Sequence, residues 1–172
     1  MAGEDAMMQL VEPIMAELTH EAATTRRLLT RIPDDRLSWR PHPRSMTLGT
    51  LAAHLAAIPA LGVQVVTTAE LVLDPGAFRT PEAAGVEAAL GVFEANVAAM
   101  KDALRSISPR ELLTSWRLLS GGRMVLELPR MGAVRSLVLN HMIHHRGQLS
   151  VYLRLIDVPL PSIYGPTADE ST

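Results

Sequence analysis

Four long stretches of this chain space their apolar residues at the helical period, with prolines or glycines standing between them. Leu10, Val11, Ile14, Leu18, Ala22, Thr25, Leu28, Leu29 and Ile32 recur at intervals of three and four, opposite Glu12, Glu17, Glu21 and Arg26. They predict a helix over residues 5–32, ended by Pro33 and either kinked or started at Pro13. Leu48 to Leu73 predicts a second helix, with Leu51, Leu55, Ile58, Leu61, Val65 and Val72 on one side. Ser45 or Thr47 is its expected cap, Pro59 its expected kink, and Asp74-Pro75-Gly76 its end. A third begins at Thr80-Pro81-Glu82, with Thr80 as cap, and turns Val86, Leu90, Phe93, Val97, Met100 and Leu104 inward as far as about Ile107. The fourth runs from about Met131 to Asp157. Such a chain is expected to be all-α, its helices sharing one core over a single domain, residues 1–172.

Two segments depart from this period. Ser115–Leu119 and Arg123–Leu128, joined across Ser120-Gly121-Gly122, predict a short hairpin or paired extended strands between helices three and four. Two strands alone are marginal, so the hairpin must lie on the helices or across a partner chain. Residues 33–45 form a connector rich in proline and arginine, with Trp39 its apolar anchor. Hydrophobic residues make up 48% of the 172 but aromatics only 3%, so Ala, Leu, Val and Met fill the core, which suits close helix contacts.

Composition excludes several function classes. The chain has no cysteine, which removes disulfides, a cysteine nucleophile and thiolate metal ligands, and agrees with a cytoplasmic setting. Its acidic start lacks the pattern of a secretory signal. Residues 48–73 approach membrane-spanning length but carry His54, Pro59, Gln64, Thr67, Thr68 and Glu70, so a core helix is expected and no membrane partner. Arg26, Arg27, Arg31, Arg36, Arg40 and Arg44 make the first part locally basic. The net charge of −2 and neighbouring acids argue for ordinary solvation and against nucleic acid.

The chemistry concentrates in Asn140-His141-Met142-Ile143-His144-His145-Arg146-Gly147-Gln148. Residues four apart lie on one side of a helix, so His141 and His145 can reach the same ion. At about 100° per residue, Val134, Val138, Leu149, Tyr152 and Ile156 point the same way, which places the pair in the core-facing stripe. His54 shares the apolar side of the second helix. Three neutral imidazoles can hold a divalent ion and leave a position open for water or substrate. The alternative is that each histidine is a core residue bonded to a neighbouring carbonyl or hydroxyl. His144 lies on the flank of the stripe, as a supporting or interface residue, and His20 and His42 are expected to be exposed. Ser136, Ile143, Gly147 and Ser150 form the opposite side, where an exposed Ile143 among small residues suggests a homodimer surface.

Taken together, these motifs resemble the DinB-like four-helix proteins, also grouped with the YfiT-like metal-dependent hydrolases. Trp39-Arg40-Pro41, Leu51-Ala52-Ala53-His54-Leu55, the segment from Asn140 to Gln148, and Ile163-Tyr164-Gly165-Pro166 carry the resemblance across almost the whole chain. It implies an up-down-down-up four-helix bundle, commonly dimeric, with nickel or zinc held by His54, His141 and His145. It also implies thiol-dependent transferases and isomerases that use low-molecular-weight thiols such as bacillithiol or mycothiol.

The expected function is therefore a metal-dependent enzyme acting on a small-molecule substrate. A cosubstrate thiol would bring the sulfur that the chain lacks. Hydrolysis is less well matched, because Met142 stands where a His-Glu-x-x-His motif places its general base. An acid or base would have to come from elsewhere, such as Glu17 or Glu21 on the first helix, which nothing in the sequence places near the metal, and no catalytic side chain is assigned. The competing reading is a non-enzymatic dimeric bundle with a vestigial or weak metal site.

Overall fold

The computed structural model describes residues 10–74, 76 and 82–171. Helix α1 spans Val11–Leu29 and buries Ile14, Leu18, Ala22, Thr25, Leu28 and Leu29, the predicted stripe. Its expected start at residue 5 and the expected Thr80 cap with Pro81 lie outside the described residues. Helix α2 spans Leu48–Thr67. Thr47, not Ser45, caps it, accepting the Thr50 N–H at 3.1 Å. The helix runs through Pro59 without interruption.

Helix α2 ends six residues before the expected Leu73. The Thr67 and Thr68 hydroxyls bond back to the Val63 and Gln64 carbonyls, and Thr68 is extended. The Arg130 guanidinium then donates to the carbonyls of Val65, Val66 and Thr68, supplying a cation where the helix leaves its last carbonyls unpaired. Beyond it, Glu70–Leu73 is strand β1, with Leu71 and Leu73 half-buried and Glu70 and Val72 exposed. That period of two belongs to a strand. Val72 therefore leaves the stripe assigned to it.

Strands β2 (Ser115–Ser120) and β3 (Arg123–Pro129) form the expected antiparallel hairpin. Gly121 and Gly122 both take positive φ, 54° and 75°, at its turn. Strand β1 pairs in parallel with β2, giving a three-stranded sheet in the order β1-β2-β3 rather than two strands alone. Trp116 on β2 is fully buried and anchors the sheet to the helices.

Helix α3 spans Val86–Ser106 and buries Val86, Leu90, Phe93, Val97, Met100 and Leu104. It starts later than expected, since residues 82–85 are not helical. Its first N–H, on Val86, is accepted by Asp34 Oδ1 at 2.8 Å, so the cap comes from the connector rather than from a local residue. Short helix α4 (Pro109–Leu112) follows, with a Ser108/Glu111 capping box.

The last long helix is continuous but not uniform. Helix α5 (Arg130–Val134) passes into a π-helical stretch, Arg135–Asn140, and then into α6 (His141–Leu155). Its buried line is Val134, Val138, Leu139, Met142, Arg146, Leu149 and Leu153. Tyr152 and Ile156 are half-buried, and Ile143 is half-buried rather than exposed.

Helix α1 packs chiefly on α3 and α6, and α2 packs chiefly on the same two, so α1 and α2 stand diagonally across the core. Helix α2 is long and apolar enough to cross a membrane. Here it lies at the centre of the packing, with Leu48, Leu51, Ala52, Leu55, Ile58 and Val65 buried. Gly62 permits the close contact with α3: a Cβ there would stand 1.8 Å from Met100 Sδ and 3.1 Å from Val138 Cγ2.

Candidate metal centre

Helices α2 and α6 face each other, and His54 meets His141 and His145 between them. The Nε2 of His141 lies 3.1 Å from that of His54 and 2.9 Å from that of His145. One ligand nitrogen from each of the three lies within 4.8 Å of the others. Four ligands at tetrahedral angles and about 2.05 Å from zinc would be about 3.3 Å apart, so small ring movements would open the cluster to that spacing. His145 is buried and the other two are half-buried, leaving one side accessible.

The outer ring nitrogens decide what the inner ones offer. His145 Nδ1 is 2.8 Å from Gln148 Oε1, an acceptor that pairs with the ring when its proton is on Nδ1, the form that leaves the Nε2 lone pair bare. His141 Nδ1 faces the Leu137 carbonyl at a longer 3.4 Å, which favours the same tautomer. The π-helical stretch contributes here, because the His141 amide bonds to the Val138 carbonyl instead of the Leu137 oxygen four residues back. When both rings carry their protons on Nδ1, two Nε2 lone pairs point at one another across 2.9 Å, an arrangement that a shared cation relieves. The donor set fits a metal.

Burial, the largest cause, lowers the pKa of all three histidines, because charging an imidazole there loses hydration. For His54, repulsion from His145 and His141 adds to it, and its pKa falls to about 4. For His141 the Leu137 carbonyl opposes the shift and His144 reinforces it. For His145 Gln148 opposes, while His141 and His144 reinforce. The rings are therefore neutral at neutral pH, the form that binds metals.

The other histidines lie elsewhere. His20 and His42 are exposed, as expected, and His42 Nδ1 accepts the Arg44 N–H. His144 is exposed, but its Nε2 is 3.1 Å from Gln148 Nε2, whose amide can donate to it. Trp39 is half-buried and packs edge-on against Tyr152, with ring centres 5.8 Å apart.

Neither proposed carboxylate is idle. Glu17 pairs with Arg135 at 2.6 Å on the surface. Glu21 is buried and pairs at 2.6 Å with Arg146, whose side chain is 1% exposed. Arg146 also donates to the Glu21 carbonyl and to the Tyr164 hydroxyl at 2.7 Å, and that hydroxyl lies 2.9 and 3.0 Å from the Glu21 oxygens. The Tyr164 ring sits over the guanidinium, 5.1 Å away. This cluster is not legible in the sequence: Arg146 stands about 100° from the direction of His145 on the helix, and its burial comes from the packing of α1 and Tyr164 against α6.

Comparison with known proteins adds to this geometry. A model of the DinB superfamily matches residues 17–149. The chain is 26% identical over 164 residues to the uncharacterized protein YrdA of Bacillus subtilis strain 168, covering 95% of this chain and 93% of that one. A crystal structure of a DinB-like protein from Bacillus cereus ATCC 10987 superposes with a TM-score of 0.71 at 25% identity, over 89% of this chain and 97% of that one. A DinB-like protein from Bacillus subtilis, YjoA, has the same fold, with a TM-score of 0.66 at 18% identity over 88% and 97% of the two chains.

Proposed function

The chain belongs to the DinB superfamily, and from that premise we propose that it is a metal-dependent enzyme in which His54, His141 and His145 hold one divalent ion, nickel or zinc. The observation that carries the reading is the convergence of three imidazole nitrogens, with acceptors behind the His141 and His145 rings. A divalent ion held by three neutral imidazoles keeps net positive charge and an open position, and supplies Lewis acidity that lowers the pKa of a water or thiol. The chain's own residues bind and orient: the Leu137 carbonyl and the Gln148 amide fix the two rings on α6, and α2 brings His54 against them.

We assign the reaction to transfer or isomerisation that uses a low-molecular-weight thiol and a small-molecule substrate. Two features support it over hydrolysis. Among the described residues the converging ligand group contains no carboxylate to serve as a base, and Glu17 and Glu21 are each engaged by an arginine. The chain has no cysteine, so a thiol must come from the cosubstrate. The reading also takes the long helices as an up-down-down-up four-helix bundle, with a homodimer in the cytoplasm as its working form.

Elemental analysis of the untagged protein re-equilibrated with nickel or zinc tests the centre. About one ion per chain is expected, lost in His54→Ala with helical circular dichroism retained. Thiol-transfer assays on the loaded protein follow. No stoichiometric ion in wild type would overturn the metal reading and leave a non-enzymatic helical protein with a histidine cluster.

A further inference from the structure

We propose that Gln148 is a positioning residue that selects the metal-ready tautomer of His145, and that His144 sets which end of the Gln148 amide faces that ring. The proposal rests on the metal-site reading above and adds residues on the far side of the ligands from the ion.

An imidazole in this cluster has two neutral forms. With the proton on Nε2, His145 would donate to His141 Nε2 at 2.9 Å, and the two rings would satisfy each other. That form closes the cluster, since one ligand lone pair is consumed and the other is replaced by a proton. With the proton on Nδ1, the Nε2 lone pair stays available. A neutral histidine in water leans toward neither form strongly enough to decide the matter, so a neighbour must.

Gln148 does so because its oxygen, not its nitrogen, lies 2.8 Å from His145 Nδ1. An acceptor there stabilises the Nδ1–H form and leaves the Nε2–H form with two lone pairs in contact. At its other end the amide nitrogen lies 3.1 Å from His144 Nε2, where the NH2 group donates when that ring carries its proton on Nδ1. Reversing the amide would require both rings to move their protons to Nε2, so the amide and the two tautomers change together. One turn of helix α6 thus carries the whole device: His144, His145 and Gln148 are spaced so that the amide spans two adjacent imidazoles. His144 is exposed and Gln148 half-buried, and this contact gives the exposed ring a purpose that solvation alone does not.

Two measurements test this, one of them without metal. Long-range proton–nitrogen NMR of the apo protein in chelator reports each tautomer. Wild-type His145 is expected as Nδ1–H, Gln148→Leu as a mixture or Nε2–H, and Gln148→Glu, which keeps the acceptor, as Nδ1–H again. His144→Ala should shift His145 only part of the way. Zinc affinity by competition with a chelator should fall about 10- to 100-fold in Gln148→Leu and recover in Gln148→Glu. An unchanged Nδ1–H signal in Gln148→Leu overturns the proposal, as does failure of Gln148→Glu to restore either quantity. If wild type binds no zinc while the tautomers respond as stated, the metal reading fails and the positioning role stands.

Discussion

The buried Glu21–Arg146 pair permits a quantitative test of how the carboxyl-terminal segment and helix α6 are held to α1. Arg146→Met removes the cation and leaves a shape that fills much of the same space. Glu21 is then left buried without the cation 2.6 Å away, with the Tyr164 hydroxyl still bonded to its oxygens. Removing one partner of a buried pair costs about 3–5 kcal/mol. Unfolding entropy near 2.1 cal/mol/K per residue, over 172 residues, gives about 0.36 kcal/mol/K. Arg146→Met should therefore lower the melting temperature by about 8–14 °C. Glu21→Met alone should do similar damage, since it strands the cation. The double variant Glu21→Met/Arg146→Met removes both charges and should recover to within about 1–2 kcal/mol of wild type, a coupling of several kcal/mol. Calorimetry or thermal circular dichroism on the apo protein reads all four forms. Additive losses, or a fall of under about 3 °C in Arg146→Met, would refute the claim that an uncompensated charge is the main cost.

Further outcomes follow from the histidines, the α2–α3 contact and the α2 termini. The unfolded His54 imidazole titrates near 6.5 and the folded one near 4, so between these values the unfolded chain binds more protons. Apo stability should be full above about pH 6.5 and fall as pH drops toward about 4; His54→Asn should flatten this slope in melting curves recorded in chelator, and an unchanged slope would assign the titration elsewhere. Gly62→Ala should cost about 1–3 kcal/mol by overpacking, because its Cβ would meet Met100 Sδ at 1.8 Å; adding Met100→Ala should relieve the clash while leaving a cavity cost, and a neutral Gly62→Ala by urea unfolding would show that Met100 swings clear freely. Thr47→Ala should lose about 1 kcal/mol, and Thr47→Ser, which keeps the hydroxyl for the Thr50 N–H and Glu82, much less, with equal losses in both counting against a capping role. Arg130→Lys should replace Arg130 only in part, since one ammonium can stand in for Nη1 at the Val65, Val66 and Thr68 carbonyls but not at the same time for Nε, which donates to the Thr114 hydroxyl; full thermal stability in that variant would deny the second contact a role.

How much was legible in the sequence depended on whether the cause was local. The period of apolar residues in α1 and α3 set their buried faces, because each side chain's direction follows from helix geometry alone. The four-residue spacing of His141 and His145 put both rings on one side of α6 for the same reason, and the Gly121-Gly122 turn marked the hairpin through its positive φ. The end of α2 was not legible in this way. Val72 fits a helical stripe and a strand equally well, and the choice was made by β2 pairing with residues 70–73 and by Arg130 capping the carbonyls before them, both distant in sequence. The start of α3 was decided likewise by Asp34.

The site divides along the same line. That His54 would face the core was a property of its own helix; that its Nε2 lies 3.1 Å from that of His141 is a property of how α2 and α6 cross. Arg146 and Glu21 each read as one residue on a helix, and only the packing of α1 against α6, with Tyr164 folded over both, made them a buried pair. The amino-acid sequence alone determined the faces of the helices and the residue types they carry, because those depend on interactions within a few residues. Tertiary structure decided which faces meet, where the helices stop and which lone pairs converge, because a hydrogen bond or ion pair across 87 or 125 residues leaves no periodic trace in either segment.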